Sequence, residues 1–258
     1  MKSFAMKILA IAYRKGGVGK STLAIHLAYT LAAQGKRVLL IDTDEDDLSE
    51  AFPDQADYSN CLVASNLFKG SLACAPRQVA ENIWLVPADL EVVDVDDATQ
   101  GELPDLRSTI LENFSDSFDI AVIDTPPNLQ RRLISVLAAA DAVVSPVTIS
   151  SFSIHRLPKF LNTVELIRSR YNPDLRNLGL VPFLVNSRSR NELEGIAFLL
   201  EEYGEEMVIN QPIMQRACVP TSLALAKPIF QAPRSGSQRQ ASAEMRSACN
   251  EIIARLYA

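Results

Sequence analysis

Cysteine is scarce in this chain, and no long apolar run is present. The four cysteines are scattered and none forms a C-x-x-C pair, which argues against a zinc ribbon or a redox dithiol and fits a reducing cytosol. The first residues lack the apolar segment of a secretion signal, and the apolar run at residues 8–13 is too short to span a bilayer. These absences argue against a secreted or membrane-spanning protein.

Positive charge is also in short supply. The chain carries 25 Lys+Arg against 31 Asp+Glu, a net charge of -6, which argues against a strongly basic nucleic-acid-binding protein. The charge is uneven, because residues 1–150 hold 12 basic and 21 acidic side chains, whereas residues 151–258 hold 13 and 10. No carboxylate occurs in residues 207–243, where four basic residues stand. This segment is either a solvated surface or a modest basic patch.

Short apolar segments alternate along the chain with longer amphipathic ones. Most of the short segments lack polar alternation, which is typical of strands buried on both faces of a parallel sheet. The pattern predicts a doubly wound α/β fold with a mostly parallel sheet flanked by helices. Since no linker or repeat interrupts the chain, we expect a single domain over residues 1–258. Strands are predicted at residues 8–13, 37–41, 83–87, 120–123, 142–147 and 178–185, and helices at residues 21–34, 128–140, 156–171, 192–203 and 241–257.

The most informative segment is the glycine-rich run at residues 14–22, which follows a predicted strand and opens a predicted helix. Its glycines allow backbone N–H groups to turn toward a phosphate, and the helix N-terminus favours the same anion. Lys20 is expected to reach the β- and γ-phosphates, Ser21 to ligate Mg²⁺ and Thr22 to touch the α-phosphate. The predicted phosphate loop for a nucleotide consists of Gly16, Gly17, Val18, Gly19, Lys20, Ser21 and Thr22.

The loop departs from the plain G-x-x-x-x-G-K-[ST] pattern, because Arg14 stands at the first glycine position and Lys15 follows it. A lysine at the mouth of the loop cannot easily reach the γ-phosphate that its own loop wraps. It can reach a phosphate across a dimer interface, or it can be a solvated neighbour of the loop. The spacing leaves both interpretations open.

Four segments together resemble the ParA/MinD family of partitioning and positioning ATPases. Residues 15–22 resemble the family's deviant Walker A motif, residues 38–44 its D-x-D motif, residues 118–127 its Walker B segment and residues 227–229 its G-K-P-[IV] signature. The match runs through nearly the whole chain, and the first three motifs are specific to the superfamily. The resemblance implies a P-loop NTPase fold, the nucleotides ATP and ADP, Mg²⁺, and slow, partner-stimulated ATP hydrolysis.

Three carboxylates follow predicted strands, and the resemblance gives them roles. Asp124 ends the Walker B strand, at the edge where open α/β sheets bind ligands, and is expected to hold Mg²⁺ through a bound water. The resemblance assigns water positioning to Asp44 and the second metal shell to Asp42, although these two roles could be exchanged. The implied catalytic residues are Lys15, Lys20 and Asp44, and the implied metal-site residues are Ser21, Asp42 and Asp124.

The segment after Asp44 departs from the family. Partition ATPases commonly continue D-x-D-P-Q with a glycine soon after, whereas residues 45–49 read Glu-Asp-Asp-Leu-Ser. Extra carboxylates beside a triphosphate repel it unless they face solvent or bind metal, and we favour the solvent-facing arrangement. The hydrolysis rate of this chain therefore does not follow from the resemblance.

Contacts to the nucleotide base are less defined. Asn186 follows a predicted strand where the family often presents an amide to adenine, and an amide both donates and accepts, as a purine edge requires. A structural Asn in a turn fits the same position. The segment at Pro212 and Ile213 is expected to add contacts to the base.

Absent features separate the branches of the family. The cysteines lack the spacing of the nitrogenase iron protein and of iron–sulfur carriers, and the C-terminus lacks the tyrosine cluster of the kinase relatives. The predicted helix at residues 241–257 has few basic residues and these are balanced by acidic ones, so we expect it to dock on the core and not to form a stable membrane anchor. Few residues precede the loop, so we expect no helix-turn-helix region for operator binding.

The ParA branch remains, and it implies a nucleotide switch. ATP closes a homodimer, the dimer binds DNA without sequence preference, and a ParB-like partner stimulates hydrolysis, which positions plasmid, chromosome or other cargo. Such a protein is cytoplasmic and associates with the nucleoid in its ATP state. A dimer presents weak basic patches twice, and the candidates for DNA contact are Arg188, Arg190, Arg216, Lys227, Arg234 and Arg239. The alternative is a MinD-like or secretion/polar-positioning ATPase that acts on a membrane or protein scaffold without DNA.

Overall fold

A computed structural model describes residues 6–45, 48–49, 51–52, 60–97, 102–225 and 227–258, with the backbone alone for residues 151–153 and 155. The strands are β1 Lys7–Ile11, β2 Val38–Asp42, β3 Arg77–Ala80, β4 Ile83–Val86, β5 Ile120–Asp124, β6 Ala142–Val147, β7 Arg176–Val185 and β8 Ile213–Met214. The helices are α1 Lys20–Ala33, α2 Ala64–Lys69, α3 Asp94–Asp97, α4 Leu106–Phe114, α5 Arg131–Ala139, α6 Ser151–Arg170, α7 Arg190–Tyr203, α8 Cys218–Ala224 and α9 Gly236–Tyr257, and a 3₁₀ turn covers Leu90–Val93.

The strands form a sheet in the order β3-β4-β2-β5-β1-β6-β7-β8. Among these strands every pairing is parallel except that of β3 with β4. Strands β2, β5 and β6 are buried along their whole length, as expected for strands covered by helices on both faces. The prediction of a doubly wound, mostly parallel α/β sheet is confirmed.

Side chains alternate along β1, and this alternation builds two hydrophobic layers. Ile8 belongs to the layer shared with α4, α5 and α6, and Leu9 belongs to the layer shared with α1 and α9. Because β1, β2 and β5 are parallel neighbours, Ile11 and Asp42 both lie in register with Asp124. Polar side chains that follow these strands therefore meet at the carboxyl edge of the sheet, where open α/β proteins bind ligands.

Several elements were not predicted, because they are too short or too polar for their periodicity to stand out. These are β3, β8, α2, α3, α4, α8 and the 3₁₀ turn. Helix α9 also begins earlier than predicted, at Gly236, because Ser235 and Gln238 form a capping box around its first turn. Helix α6 begins at Ser151 and continues through Pro158. In the ranges given above, no helix has both the length and the apolar character needed to cross a bilayer.

Candidate nucleotide-binding site

The glycine-rich loop connects β1 to α1, and its shape depends on left-handed backbone. Gly17 has a φ of +68°, and Gly19, which precedes α1, has a φ of +97°. A Cβ atom on Gly19 would lie 2.3 Å from the ring of Phe183 on β7. Glycine alone satisfies both the backbone conformation and the close contact, so the loop rests directly on β7.

Three polar residues open α1 and are nonetheless buried. Lys20, Ser21 and Thr22 are each only 6% exposed. The Nζ atom of Lys20 lies 3.8 Å from Oδ2 of Asp44, so the loop lysine meets the D-x-D motif at the edge of the sheet. A cation held there can make charge-assisted hydrogen bonds to phosphate oxygens that enter the loop.

Asp124 is the buried carboxylate at the centre of this edge. It is fully buried at the end of β5, and neither of its carboxylate oxygens has a partner at full hydrogen-bond geometry among the described residues, although Ser21 and the backbone of Thr125 lie near enough to lower its pKa. Burial raises the pKa of Asp124 to about 7, although the charge of Lys20 opposes this shift. Buried polar atoms are nearly always hydrogen-bonded, so an orphaned carboxylate at a ligand-binding edge fits a cation. Oxygen atoms are the ligands that Mg²⁺ prefers.

Asp42 differs from Asp124, because the loop that follows β2 already occupies its oxygens. Oδ1 accepts from the N–H of Asp44 at 3.1 Å, and Oδ2 accepts from the N–H of Ser49 at 2.8 Å and from the Ser49 hydroxyl. Burial, followed by the charge of Asp124, raises the pKa of Asp42 well above its usual range. Asp42 therefore holds the backbone of Asp44 and Ser49 from inside, and its place in the second metal shell stays a prediction.

Arg132 belongs to this site, although no sequence motif indicates it. Its side chain is 5% exposed at the start of α5, and its Nε donates to Oδ2 of Asp96 at 2.6 Å. Its Nη1 donates to the carbonyl of Thr43 at 3.1 Å, and its Nη2 lies 3.5 Å from Oε1 of Glu45. The sequence does show two adjacent arginines after the Walker B segment and acidic runs elsewhere in the chain. No spacing rule links these arginines to a particular acidic residue.

Lys15 lies at the mouth of the loop and is half-buried. Its Nζ donates to the Oγ1 of Thr148 at 3.3 Å, just beyond the end of β6. In this single chain the ammonium group therefore contacts a residue of its own protomer, across the edge of the sheet. Whether it reaches a second protomer stays a prediction.

The residues expected at the base are placed differently from one another. Asn186 is exposed after β7, and its Oδ1 accepts from the N–H of Arg188 at 3.0 Å, which is the arrangement of a structural turn. The side chain of Ile213 is fully buried in β8, so its side chain offers no surface to a base. Pro212 is half-buried beside it. Base contact by Asn186, by Pro212 and by the backbone of Ile213 stays a prediction.

The six residues expected to contact DNA divide into two groups. Arg190 pairs with Glu194 at 2.7 Å, and Arg216 pairs with Glu244 while only 17% of its side chain is exposed, so acidic neighbours offset both charges. The remaining four side chains are exposed: Arg188, Lys227, Arg234 and Arg239. The last three lie on or next to the segment that precedes α9.

His26 links the phosphate-loop helix to the fourth motif. It is fully buried in α1, and its Nδ1 lies 2.6 Å from the carbonyl of Thr22. The N–H of Ile229 donates to its Nε2 at 3.0 Å, so Nε2 is the acceptor and the proton belongs on Nδ1. Burial lowers the pKa of His26 to about 4. A neutral imidazole therefore joins the first turn of α1 to residues 227–229.

The buried, neutral state of His26 predicts that the folded protein loses stability in acid. Because the folded state holds His26 neutral while the unfolded chain titrates near 6.5, its contribution to stability is complete above pH 6.5 and is lost as the pH falls toward 4. The loss amounts to about 3 kcal/mol in the free energy of unfolding. Urea unfolding at steps between pH 7.5 and 4 measures it as the difference between the parent and His26→Gln. The variant His155→Gln measures what the other histidine contributes to this pH dependence. If the free energy of unfolding varied with pH in the same way in the parent and in His26→Gln, the prediction would be wrong.

The fold and the site define a P-loop nucleotide-binding protein. A family model described as an AAA domain matches residues 6–177. The chain is 31% identical to protein IncC of Escherichia coli over 264 residues, which cover 97% of this chain and 70% of IncC. It is 30% identical to the chromosome-partitioning ATPase Soj of Thermus thermophilus over 200 residues, which cover 77% of this chain and 78% of Soj. The chain belongs to the ParA/MinD family of ATPases, as the resemblance of its motifs predicted.

A solved structure shares the fold. Cobyrinic acid a,c-diamide synthase from Mycobacterium smegmatis, with bound ADP and magnesium, superposes with a TM-score of 0.73 at 26% identity. The alignment covers 85% of this chain and 91% of that protein. The similarity therefore extends over most of both chains.

Proposed function

We propose that this chain is a Mg²⁺-dependent ATPase of the ParA type, in which residues 1–258 act as one unit. The orphaned Asp124 carboxylate beside Lys20, at the end of a phosphate loop, carries the proposal. The relatives support it, because Soj is a chromosome-partitioning ATPase and the M. smegmatis structure holds ADP and magnesium. Phosphate release from ATP, measured with Mg²⁺ and with chelator, tests it: no turnover above a no-protein blank would overturn it.

The reaction is attack by water on the γ-phosphate of ATP, which yields ADP and inorganic phosphate. The backbone of residues 16–19 and the ammonium of Lys20 hold the phosphates. Asp124 and the Ser21 hydroxyl would hold Mg²⁺, which supplies neutralisation of the phosphate charge when bound. Asp44, half-buried and 3.8 Å from Lys20, would orient the attacking water.

Asp44→Ala is expected to retain ATP binding and to lower turnover by at least about tenfold, since general-base positioning contributes on the order of a hundredfold or more. The variant should accumulate ATP-bound dimer in size-exclusion chromatography with light scattering. Asp116→Ala, an exposed carboxylate next to β5, is the matched control. Turnover at the parent rate would move water positioning to another residue, with Asp42 the first to examine.

Lys15→Ala is expected to leave ATP affinity of the monomer nearly unchanged and to weaken the ATP-dependent dimer by about tenfold or more. The reason is that Lys15 would add charge to the γ-phosphate bound by the other protomer. Sedimentation at several protein concentrations, with ATP and with ADP, measures the effect. Thr148→Ala removes the observed contact of Lys15 within its own chain. If Thr148→Ala weakens the dimer as much as Lys15→Ala, the lysine acts within its own protomer and the prediction is wrong.

The proposal extends to DNA, which the ATP dimer would bind without sequence preference through exposed basic residues near α9. Phosphate contacts from two protomers add through counterion release, so binding should weaken steeply with salt. Gel shifts with a generic duplex test it, in ATP and in ADP. Arg234→Glu with Arg239→Glu should abolish the shift, and Arg170→Glu, an exposed arginine on α6, should not.

A ParB-like partner would then stimulate hydrolysis and release the dimer, so that the protein cycles between cytoplasm and nucleoid. If no ATP-dependent DNA binding is found, the alternative of a MinD-like or scaffold-bound positioning ATPase gains support. Helix α9 is not expected to act as a membrane anchor, because its apolar residues Met245 and Ile252 are fully buried against the core.

A further inference from the structure

Two loops of the nucleotide site are bonded to each other around one arginine. The carbonyl of Asp124 accepts both the N–H of Thr43, at 3.1 Å, and the Thr43 hydroxyl, at 2.6 Å. The carbonyl of Thr43 in turn accepts from Nη1 of Arg132, at the start of the helix that follows Asp124. Thr43 stands between Asp42 and Asp44, so this arginine holds the middle residue of the D-x-D motif.

Asp96 fixes the arginine itself. Its two carboxylate oxygens accept from Nε and from the backbone N–H of Arg132, at 2.6 and 2.8 Å, and its side chain is 4% exposed. A guanidinium bound in this way keeps its remaining N–H groups in a set plane, because its five donors form a rigid fork. Its Nε bonds to Asp96 on α3, and its Nη1 bonds to the loop after β2.

Arg132 also contacts the first residue of the acidic segment after Asp44. Glu45 directly follows Asp44, and its carboxylate lies 3.5 Å from Nη2 of Arg132. Glu45 is 55% exposed, and an ion pair of this length with one solvent-exposed partner contributes little energy by itself. It does draw the carboxylate toward the arginine, and like charges near a triphosphate are costly.

We propose that Arg132 is a positioning residue that ties the loop carrying Asp44 to the helix following Asp124, so that the two carboxylates keep their spacing. Its role in hydrolysis rests on the proposed ATPase function, whereas its hold on the loop does not. A misplacement of about 1 Å in a catalytic group lowers rates by about a hundredfold, so loosening this loop should affect turnover more than binding.

The test compares Arg132→Lys with the parent by hydrogen exchange of backbone amides in residues 43–49 and by ATP turnover and affinity. Lysine keeps a charge for Asp96 but cannot serve three partners from a fork. We expect exchange in residues 43–49 to accelerate by about tenfold or more. Turnover should fall by about tenfold or more, while the dissociation constant for ATP changes by less than about threefold. Asp96→Asn, which releases the arginine instead, should give the same pattern at smaller amplitude.

Arg37→Met is the matched control, because Arg37 forms an arginine–aspartate pair with Asp119 and also bonds a carbonyl, at the opposite end of β2. It should leave exchange in residues 43–49 unchanged. Unchanged exchange there in both Arg132→Lys and Asp96→Asn overturns the proposal, and so does acceleration spread evenly over the chain. If the parent lacks turnover, the ATPase function fails while exchange still decides the role of Arg132. If Arg132→Lys does not fold, Asp96→Asn decides by the same criteria.

Discussion

Lys20→Ala is expected to bind ATP at least about a hundredfold more weakly than the parent chain. The lysine is 6% exposed at the first position of α1, and the proposed function has its ammonium contact two phosphate groups at once. Hydrogen bonds to charged groups contribute about 1.5–3 kcal/mol each, so losing two corresponds to two orders of magnitude or more in affinity. Titration with a fluorescent ATP analogue in the presence of Mg²⁺ measures the loss.

The same substitution should change the ligand-free site in a second way. The charge of Lys20 lowers the pKa of Asp124, and Lys20 also lies 3.8 Å from Asp44. Without that cation, the charge of Asp44 still faces Asp124, so Asp124 takes up a proton at a higher pH. Proton uptake offsets the lost charge, so the variant should remain folded, which circular dichroism checks.

Lys159→Ala makes the same chemical change on the exposed surface of α6 and should bind ATP like the parent. If Lys20→Ala also bound like the parent, the assignment of residues 16–22 as the phosphate loop would be wrong. An equal loss in both variants would point to a general effect of net charge and would contradict the site as well.

The phosphate loop was predictable because its chemistry is local. Gly17 and Gly19 stand within four residues of Lys20, and their left-handed φ angles are a property of the backbone that glycine alone adopts freely. Buried parallel strands were predictable for a similar reason, since β2 and β5 are continuous apolar runs that end in the aspartates of the site. Motif and strand pattern therefore placed Asp42 and Asp124 at one edge.

Contacts between distant segments could not be read from the sequence. Arg132 and Asp96 are far apart in the chain, and the elements that carry Asp96 are too short to show a period. The bond from Ile229 to His26 likewise spans most of the chain. Such pairs depend on how helices pack on the sheet, which no spacing rule encodes. The sequence also could not show that Asp42 accepts hydrogen bonds from Ser49, whereas Asp124 has no partner at full hydrogen-bond geometry in the described part of the chain.

Asp124→Asn is expected to make the ligand-free protein more stable than the parent and the nucleotide-bound protein less stable than the parent. In the ligand-free chain, the buried carboxylate has no partner at full hydrogen-bond geometry among the described residues, and burial raises its pKa to about 7 despite nearby Lys20 and Ser21, so its charged form is costly. An unpaired amide costs less than an unpaired charge. We therefore expect the variant to be about 1–3 kcal/mol more stable than the parent at pH 8, measured by urea unfolding without Mg²⁺ or nucleotide.

The sign of this gain follows from the direction of the shift. A carboxyl group whose folded pKa is raised stabilises the fold below its unfolded pKa, and that stabilisation is lost as the pH rises through about 7. The advantage of Asp124→Asn should therefore be small near pH 4, grow up to about pH 7 and level off above it. Asp141→Asn is the matched control, because Asp141 accepts hydrogen bonds from Ile8 and Arg107. It should lose stability.

The nucleotide-bound state should reverse the order of the two proteins. A ligand that binds only the folded state stabilises it in proportion to the logarithm of its concentration over the dissociation constant. With Asp124 present, Mg²⁺ and ATP should raise the melting temperature by several degrees, whereas Asp124→Asn should gain little, because an amide cannot replace the charge that the cation requires. If Mg²⁺ and ATP stabilised both proteins equally, Asp124 would not be at the metal site. A variant that was less stable than the parent without ligand would instead show that the carboxylate has a partner in the folded chain.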